Sequence, residues 1–165
     1  DVPERGGDTL WCDLEAAFDA LSDTMKNLLA GLKARHVPLA DIQGMIRAFG
    51  VEAFASSYKN ITPSEHPILK THPVTGRTSL TINEQNTVEI VGMTRKESAA
   101  LLGFLIDHVQ QPDFHCRFSW RKGSVAFWDN RSTMHRGLPN FMQAHRLMHR
   151  VAIAGTERPY YQPSG

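Results

Sequence analysis

The apolar positions of the chain fall into blocks of different spacing. From residue 13 to 35, Leu14, Ala17, Phe18 and Leu21 recur at helical intervals, and Met25, Leu28, Leu29 and Leu32 form a second stripe. That spacing puts the apolar side chains on one face of a helix. Ser22 is positioned as an N-cap between two short helices. Val37-Pro38 stops the run, because proline pushes the residue before it out of helical geometry. Residues 39–56 also read as helical, with Gly44 and Gly50 weakening the pattern. Residues 57–76, rich in Ser, Pro, His and Thr, read as a surface or lid-like loop.

Beyond that loop the period changes. Thr78 to Asn83 alternates as a strand does, and Thr87 to Val91 is β-branched. Thr94-Arg95-Lys96-Glu97 is a capping box, which predicts a helix through about Val109 with Leu101, Leu102, Leu105 and Ile106 on one face. After Pro112, Phe114 to Trp120 alternates, Lys122-Gly123 makes a turn, and Val125 to Trp128 is a short apolar strand. Arg146 to Ala154 reads as a further strand, with Val151 and Ile153 pointing one way. Helices, a strand pair, a helix and then hairpins predict a β-rich core with helices packed outside it.

Composition adds only bounds. A length of 165 residues fits one domain. Hydrophobic residues make up 41% and charged residues 21%, an ordinary globular balance. A net charge of +1 argues against nucleic acid as the main partner, which calls for a concentrated basic surface. Cys12 and Cys116 lie far apart with no CxxC pattern, so neither a zinc ribbon nor a disulfide framework is expected. With no membrane-length apolar run and no leader-like opening, the expected location is cytoplasmic, away from membranes. The chain opens Asp1-Val2-Pro3 without an initiator methionine, and is expected to be part of a longer protein.

Candidate chemistry centres on one histidine. Of the eight histidines, none belongs to an HExxH, HxH or HxD/E motif. His135 differs in its surroundings. The run Trp128-Asp129-Asn130-Arg131 ends a strand and turns, and His135 follows at the start of the next segment. Arg146 and Arg150 come later, and their even separation puts both on one face of a strand. A histidine beside two inward arginines suits an anionic, metal-chelating molecule, because the guanidinium fork pairs with a carboxylate through two parallel hydrogen bonds. The pattern alone leaves equally open two surface arginines on an edge strand.

Several blocks taken together carry a resemblance. They are Gly6-Gly7-Asp8-Thr9-Leu10-Trp11, His72-Pro73-Val74-Thr75-Gly76-Arg77, Ser98 to Phe104, Phe127-Trp128-Asp129-Asn130-Arg131, His135, and His145-Arg146-Leu147-Met148-His149-Arg150-Val151. In register from residue 6 to about residue 161, the chain resembles the TauD/TfdA family of taurine, alkylsulfate and related dioxygenases. The resemblance implies a β-rich α+β fold: a double-stranded β-helix, a jelly-roll or cupin-like core with helical insertions. It implies one partial domain over residues 1–165, with the N-terminal part expected to be missing from this chain. It implies iron(II) held by two histidines and a carboxylate, with His135 as the distal histidine. Arg146 then pairs with the far carboxylate of the co-substrate 2-oxoglutarate, and Thr9 hydrogen-bonds the same group. Arg150 meets the substrate anion. Asp129 and Asn130 are turn residues that aim His135, although a plain Asx turn accounts for them as well. The implied partners are a small anionic substrate and O2, in a homodimer or homotetramer.

Two departures qualify that picture. The family's HxD/E motif lies upstream of the Gly6–Trp11 block, and this sequence has none. The expectation is that this segment is missing from the chain; the alternative is an iron-free, inactive relative that binds a small organic anion. Taurine-type members also carry an aromatic residue just after the strand ending at Asn83, where this chain reads Glu84-Gln85-Asn86-Thr87. A more polar pocket wall is expected, with Asn86 at the substrate. The expected reaction is hydroxylation of a sulfonate, sulfate ester or carboxylate, with succinate and CO2 as co-products.

Overall fold

The computed structural model describes residues 1–38, 46, 50–52, 62–140, 144–155 and 157–163. Eight strands are assigned: β1 (Thr9–Asp13), β2 (Lys33–His36), β3 (Ser64–Pro67), β4 (Leu69–Thr71), β5 (Thr78–Leu80), β6 (Thr87–Ile90), β7 (His115–Phe118) and β8 (Thr133–Gly137). They form three antiparallel sheets, ordered β7-β1-β8, β3-β2-β6 and β4-β5. The helices whose bounds lie within the described residues are α1 (Leu14–Asp19), α2 (Asp23–Leu29) and α3 (Arg95–Val109). The architecture is β-rich with helices alongside.

Local signals explain the helix starts. The Asp13 carboxylate accepts from the amides of Glu15 and Ala16, and Ser22 Oγ accepts from Met25 N, so both short helices are capped by side chains. The capping box of α3 forms in both directions: Thr94 N donates to Glu97 Oε2 at 2.9 Å and Glu97 N to Thr94 Oγ1 at 3.4 Å. Leu102, Leu105 and Val109 on α3 join Leu14, Ala17 and Leu21 with Ile68, Leu69, Leu80 and Ile90 in one buried cluster. Two side chains lock α3 to its neighbours. Ser98 Oγ accepts from Ile90 N at 2.8 Å, and His108 Nε2 donates to the Ala17 carbonyl at 2.7 Å.

The structure corrects four sequence expectations. The helical reading of 13–35 overshoots at its C-terminal end, where residues 33–36 form β2. Gly31, at φ +86°, breaks the helix, and Ala34 is then fully buried between β3 and β6. The loop expected over 57–76 contains β3 and β4; Pro67 closes the edge strand β3, where a missing amide is tolerated. Two expected strands, 125–128 and 146–154, join no ladder among the described residues. Alternation marks a chain as able to pair, but a strand exists only with a partner. Val125, Phe127, Val151 and Ile153 accordingly stay exposed. The helix expected over 39–56 falls largely outside the described residues; positions 46 and 50–52 within it are helical.

Candidate active site

The site is built on β1, the centre of its sheet. Across the β1–β8 ladder Trp11 faces His135 and Thr9 faces Gly137. Directly paired residues share a face, and Thr9 and Trp11 share one because strand side chains alternate. Thr9, Trp11 and His135 therefore project from one face. On the other face Cys12 and its partner Met134 join the core.

The turn before β8 fixes where that strand begins. The Asp129 carbonyl accepts from Ser132 N, Thr133 N and Thr133 Oγ1. Leu14 N, at the start of α1, donates to the Ser132 carbonyl at 3.0 Å. His135 follows two residues after Thr133, half-buried. The Trp128 ring stands 5.0 Å from the His135 ring and 5.2 Å from Trp11. Asn130 Oδ1 accepts from Trp128 Nε1 at 2.9 Å, which holds the indole in place. Burial first, and the positive charge of Arg150 second, lower the His135 pKa from the ordinary imidazole value. A neutral imidazole is the form that binds a metal.

Thr9, Trp128, His135, Arg146 and Arg150 line one cavity of about 670 Å³, a size that suits small organic ligands. Thr9 is buried, and its hydroxyl accepts from Trp120 Nε1 at 2.9 Å. A hydroxyl that already accepts keeps its own hydrogen to donate. Arg146 Nε donates to the Gly7 carbonyl at 3.1 Å. Gly7 is itself held by Asn140, whose Oδ1 accepts from Gly7 N. Gly6 makes this approach possible: its φ is +79°, and a Cβ built there would run into the Asn140 carbonyl.

The structure therefore brings Thr9, His135, Arg146 and Arg150 to one cavity, with Asp129 and Asn130 in the turn beside it. Asn86 is elsewhere. It lines a separate cavity with His36, Thr81 and Lys70, whose wall also includes His135. Asn86 Oδ1, His36 Nε2 and Thr81 Oγ1 are buried there without hydrogen-bond partners among the described residues. Trp120, Trp128 and His72 were missed as contributors. The first two had a signal, an aromatic residue flanking each end of the Lys122-Gly123 turn segment. His72 had only its place in a quoted block.

The donor set fits a metal in part. His135 offers one neutral nitrogen, but among the described residues no group of three or more His, Cys, Asp or Glu side chains is placed to hold an ion.

Comparison with known proteins is consistent across the chain. The family model described as "Taurine catabolism dioxygenase TauD, TfdA family" matches residues 1–152. An alkylsulfatase from Acinetobacter baylyi is 32% identical over 158 residues, covering 93% of this chain and 50% of that protein. An alpha-ketoglutarate-dependent 2,4-dichlorophenoxyacetate dioxygenase from Burkholderia sp. is 35% identical over 155 residues, covering 93% and 50%. The crystal structure of AAD-2 in complex with Mn(II) and N-oxalylglycine superposes with a TM-score of 0.79 at 31% identity, covering 98% of this chain and 62% of that one. The chain thus spans about half the length of the curated relatives it matches. With its site blocks in place and a family match over nearly its whole length, the chain belongs to the TauD/TfdA dioxygenase family.

Proposed function

We propose that this chain forms part of an iron(II)- and 2-oxoglutarate-dependent dioxygenase that hydroxylates a small anionic organic molecule, with succinate and CO2 as co-products. The observation that carries the reading is the single cavity shared by Thr9, His135, Arg146 and Arg150. His135 supplies one iron ligand of a set of two histidines and a carboxylate. Arg146 grips the far carboxylate of 2-oxoglutarate, its guanidinium steadied by the Gly7 carbonyl. The Thr9 hydroxyl donates to the same carboxylate. Arg150 supplies positive charge to the substrate anion, and Asn86 contributes a polar wall from the adjoining cavity. Asp129 and Asn130 hold the turn and the indole that flank His135. Iron(II), when bound, activates O2 for the coupled oxidation of 2-oxoglutarate and substrate. The surrounding residues bind, orient and exclude water.

The alkylsulfatase and the dichlorophenoxyacetate dioxygenase among the relatives support a sulfate ester, sulfonate or carboxylate as the substrate class. In this reading the strands complete a double-stranded β-helix within one domain, the protein is cytoplasmic, and it assembles as a dimer or tetramer. No helix among the described residues is long and apolar enough to cross a membrane.

One observation favours a second reading, an iron-free binder of organic anions: the incomplete ligand set among the described residues. Anaerobic addition of iron(II) and 2-oxoglutarate to a polypeptide that carries this chain together with its upstream segment separates the two. A visible metal-to-ligand charge-transfer band supports the dioxygenase. Binding of 2-oxoglutarate with no band and no bound iron supports the anion binder.

A further inference from the structure

We infer that His72 is a positioning residue for His135, acting through Asp129 and the turn that launches β8. The inference rests on the proposed reading of His135 as an iron ligand. His72 is 6% exposed, yet it belongs to a different loop from its partner, 57 residues away. Its two ring nitrogens have distinct tasks. Nδ1 lies 3.2 Å from Val74 N and 3.1 Å from Thr75 N, and both amides donate to it. A nitrogen that accepts carries no proton, so the hydrogen is on Nε2. That Nε2–H donates to Asp129 Oδ2 at 3.1 Å.

Asp129 is where the bonds converge. Its side chain also takes the backbone amide of Arg131 at 2.8 Å and the Arg131 guanidinium at 2.6 to 3.1 Å. Its carbonyl takes the Ser132 amide and both the amide and hydroxyl of Thr133. Thr133 and His135 lie on the same face of β8 because their separation is even. A change in the turn at Asp129 is therefore passed to His135 within one strand repeat. The turn is gripped from two directions. One grip is the Leu14–Ser132 backbone bond, which any sequence could make; the other is His72, which only a side chain of this shape supplies. Partners that orient a metal ligand typically change metal affinity by about 10- to 100-fold when they are removed.

Two substitutions split the two tasks of His72. H72N keeps an oxygen where Nδ1 accepts the Val74 and Thr75 amides, but has no donor that reaches Asp129. H72Q keeps an N–H where Nε2 lies. Mn(II) is titrated, with EPR detection, into the polypeptide carrying the full ligand set, and thermal midpoints are recorded alongside. We expect H72N to weaken Mn(II) about tenfold and H72Q to stay within about threefold of the parent, with similar midpoints for both. T133V, which removes the Thr133 hydroxyl bond to the Asp129 carbonyl and leaves buried His72 untouched, is expected to weaken Mn(II) too, and serves if H72N does not fold. Parent-like affinity in H72N or T133V overturns the inference, as does equal weakening in H72N and H72Q that tracks a common loss of midpoint. A parent protein that binds no Mn(II) overturns the iron-ligand reading itself and takes this inference with it.

Discussion

At the scale of single residues, the roles proposed for Arg146 and His135 rest on different physics. Arg146 acts by geometry: a planar fork anchored on the Gly7 carbonyl faces the cavity. R146A should weaken 2-oxoglutarate by about 1.5–3 kcal/mol, the range for a hydrogen bond to a charged group, while substrate affinity changes little. R146K should recover only part, because an ammonium cannot form two parallel bonds. Titration calorimetry of both ligands checks this, and equal losses for the two would remove the assigned role. His135 acts by protonation state. Its lowered pKa means that below the ordinary imidazole value the unfolded chain binds a proton more readily than the folded one. Its contribution to stability is therefore present above the unfolded pKa of about 6.5 and is lost as pH falls through the folded value. His36, also lowered by burial, adds to the same slope. Urea midpoints should rise between mildly acidic and neutral pH, and H135Q should flatten that rise. An unchanged slope in H135Q would show that the imidazole is not selectively neutral in the fold.

Elements show which information in the chain is local. The capping box of α3 was legible because Thr94 and Glu97 are three residues apart and need nothing else to form. T94A should cost about 1 kcal/mol in denaturant unfolding and T94G only a few tenths, since glycine is itself an acceptable N-cap. Equal losses for the two would mean that the cap is not carrying the helix start. The short strands were less legible. β2, Lys33-Ala34-Arg35-His36, has a single apolar residue and no pattern of its own, and only the partners Ile90 and His66, far away in sequence, decide the matter. β3 and β4 sit in a polar, proline-containing stretch whose composition reads as loop. The same distinction divides the candidate site. Thr9, His135, Arg146 and Arg150 stand in blocks that could be recognised one at a time. The His72–Asp129 bond joins two of those blocks across 57 residues and leaves no trace in either.

For the molecule as a whole, the telling feature is the pair of extended segments that find no ladder among the described residues. Val125 and Phe127 alternate on one, Val151 and Ile153 on the other, and these four side chains are 84–92% exposed. Isolated exposed apolar residues are ordinary, but two alternating rows beside one ligand cavity are a patch, and patches of this kind mark surfaces that take a partner. Two consequences separate at this scale. In the 165-residue chain by itself these side chains bury almost nothing, so the double substitution V151T/I153T should change unfolding free energy by no more than about 0.5 kcal/mol while reducing the binding of an apolar dye. In a longer polypeptide that supplies strands to these edges, each side chain would be covered, and the same substitution should cost on the order of 1–3 kcal/mol for each apolar side chain withdrawn from water. Chemical denaturation of the two polypeptides with and without the substitution makes the comparison. A small cost in both would mean that these rows stay solvated, and the proposal of a completed double-stranded β-helix would fail at the segment that carries Arg146 and Arg150.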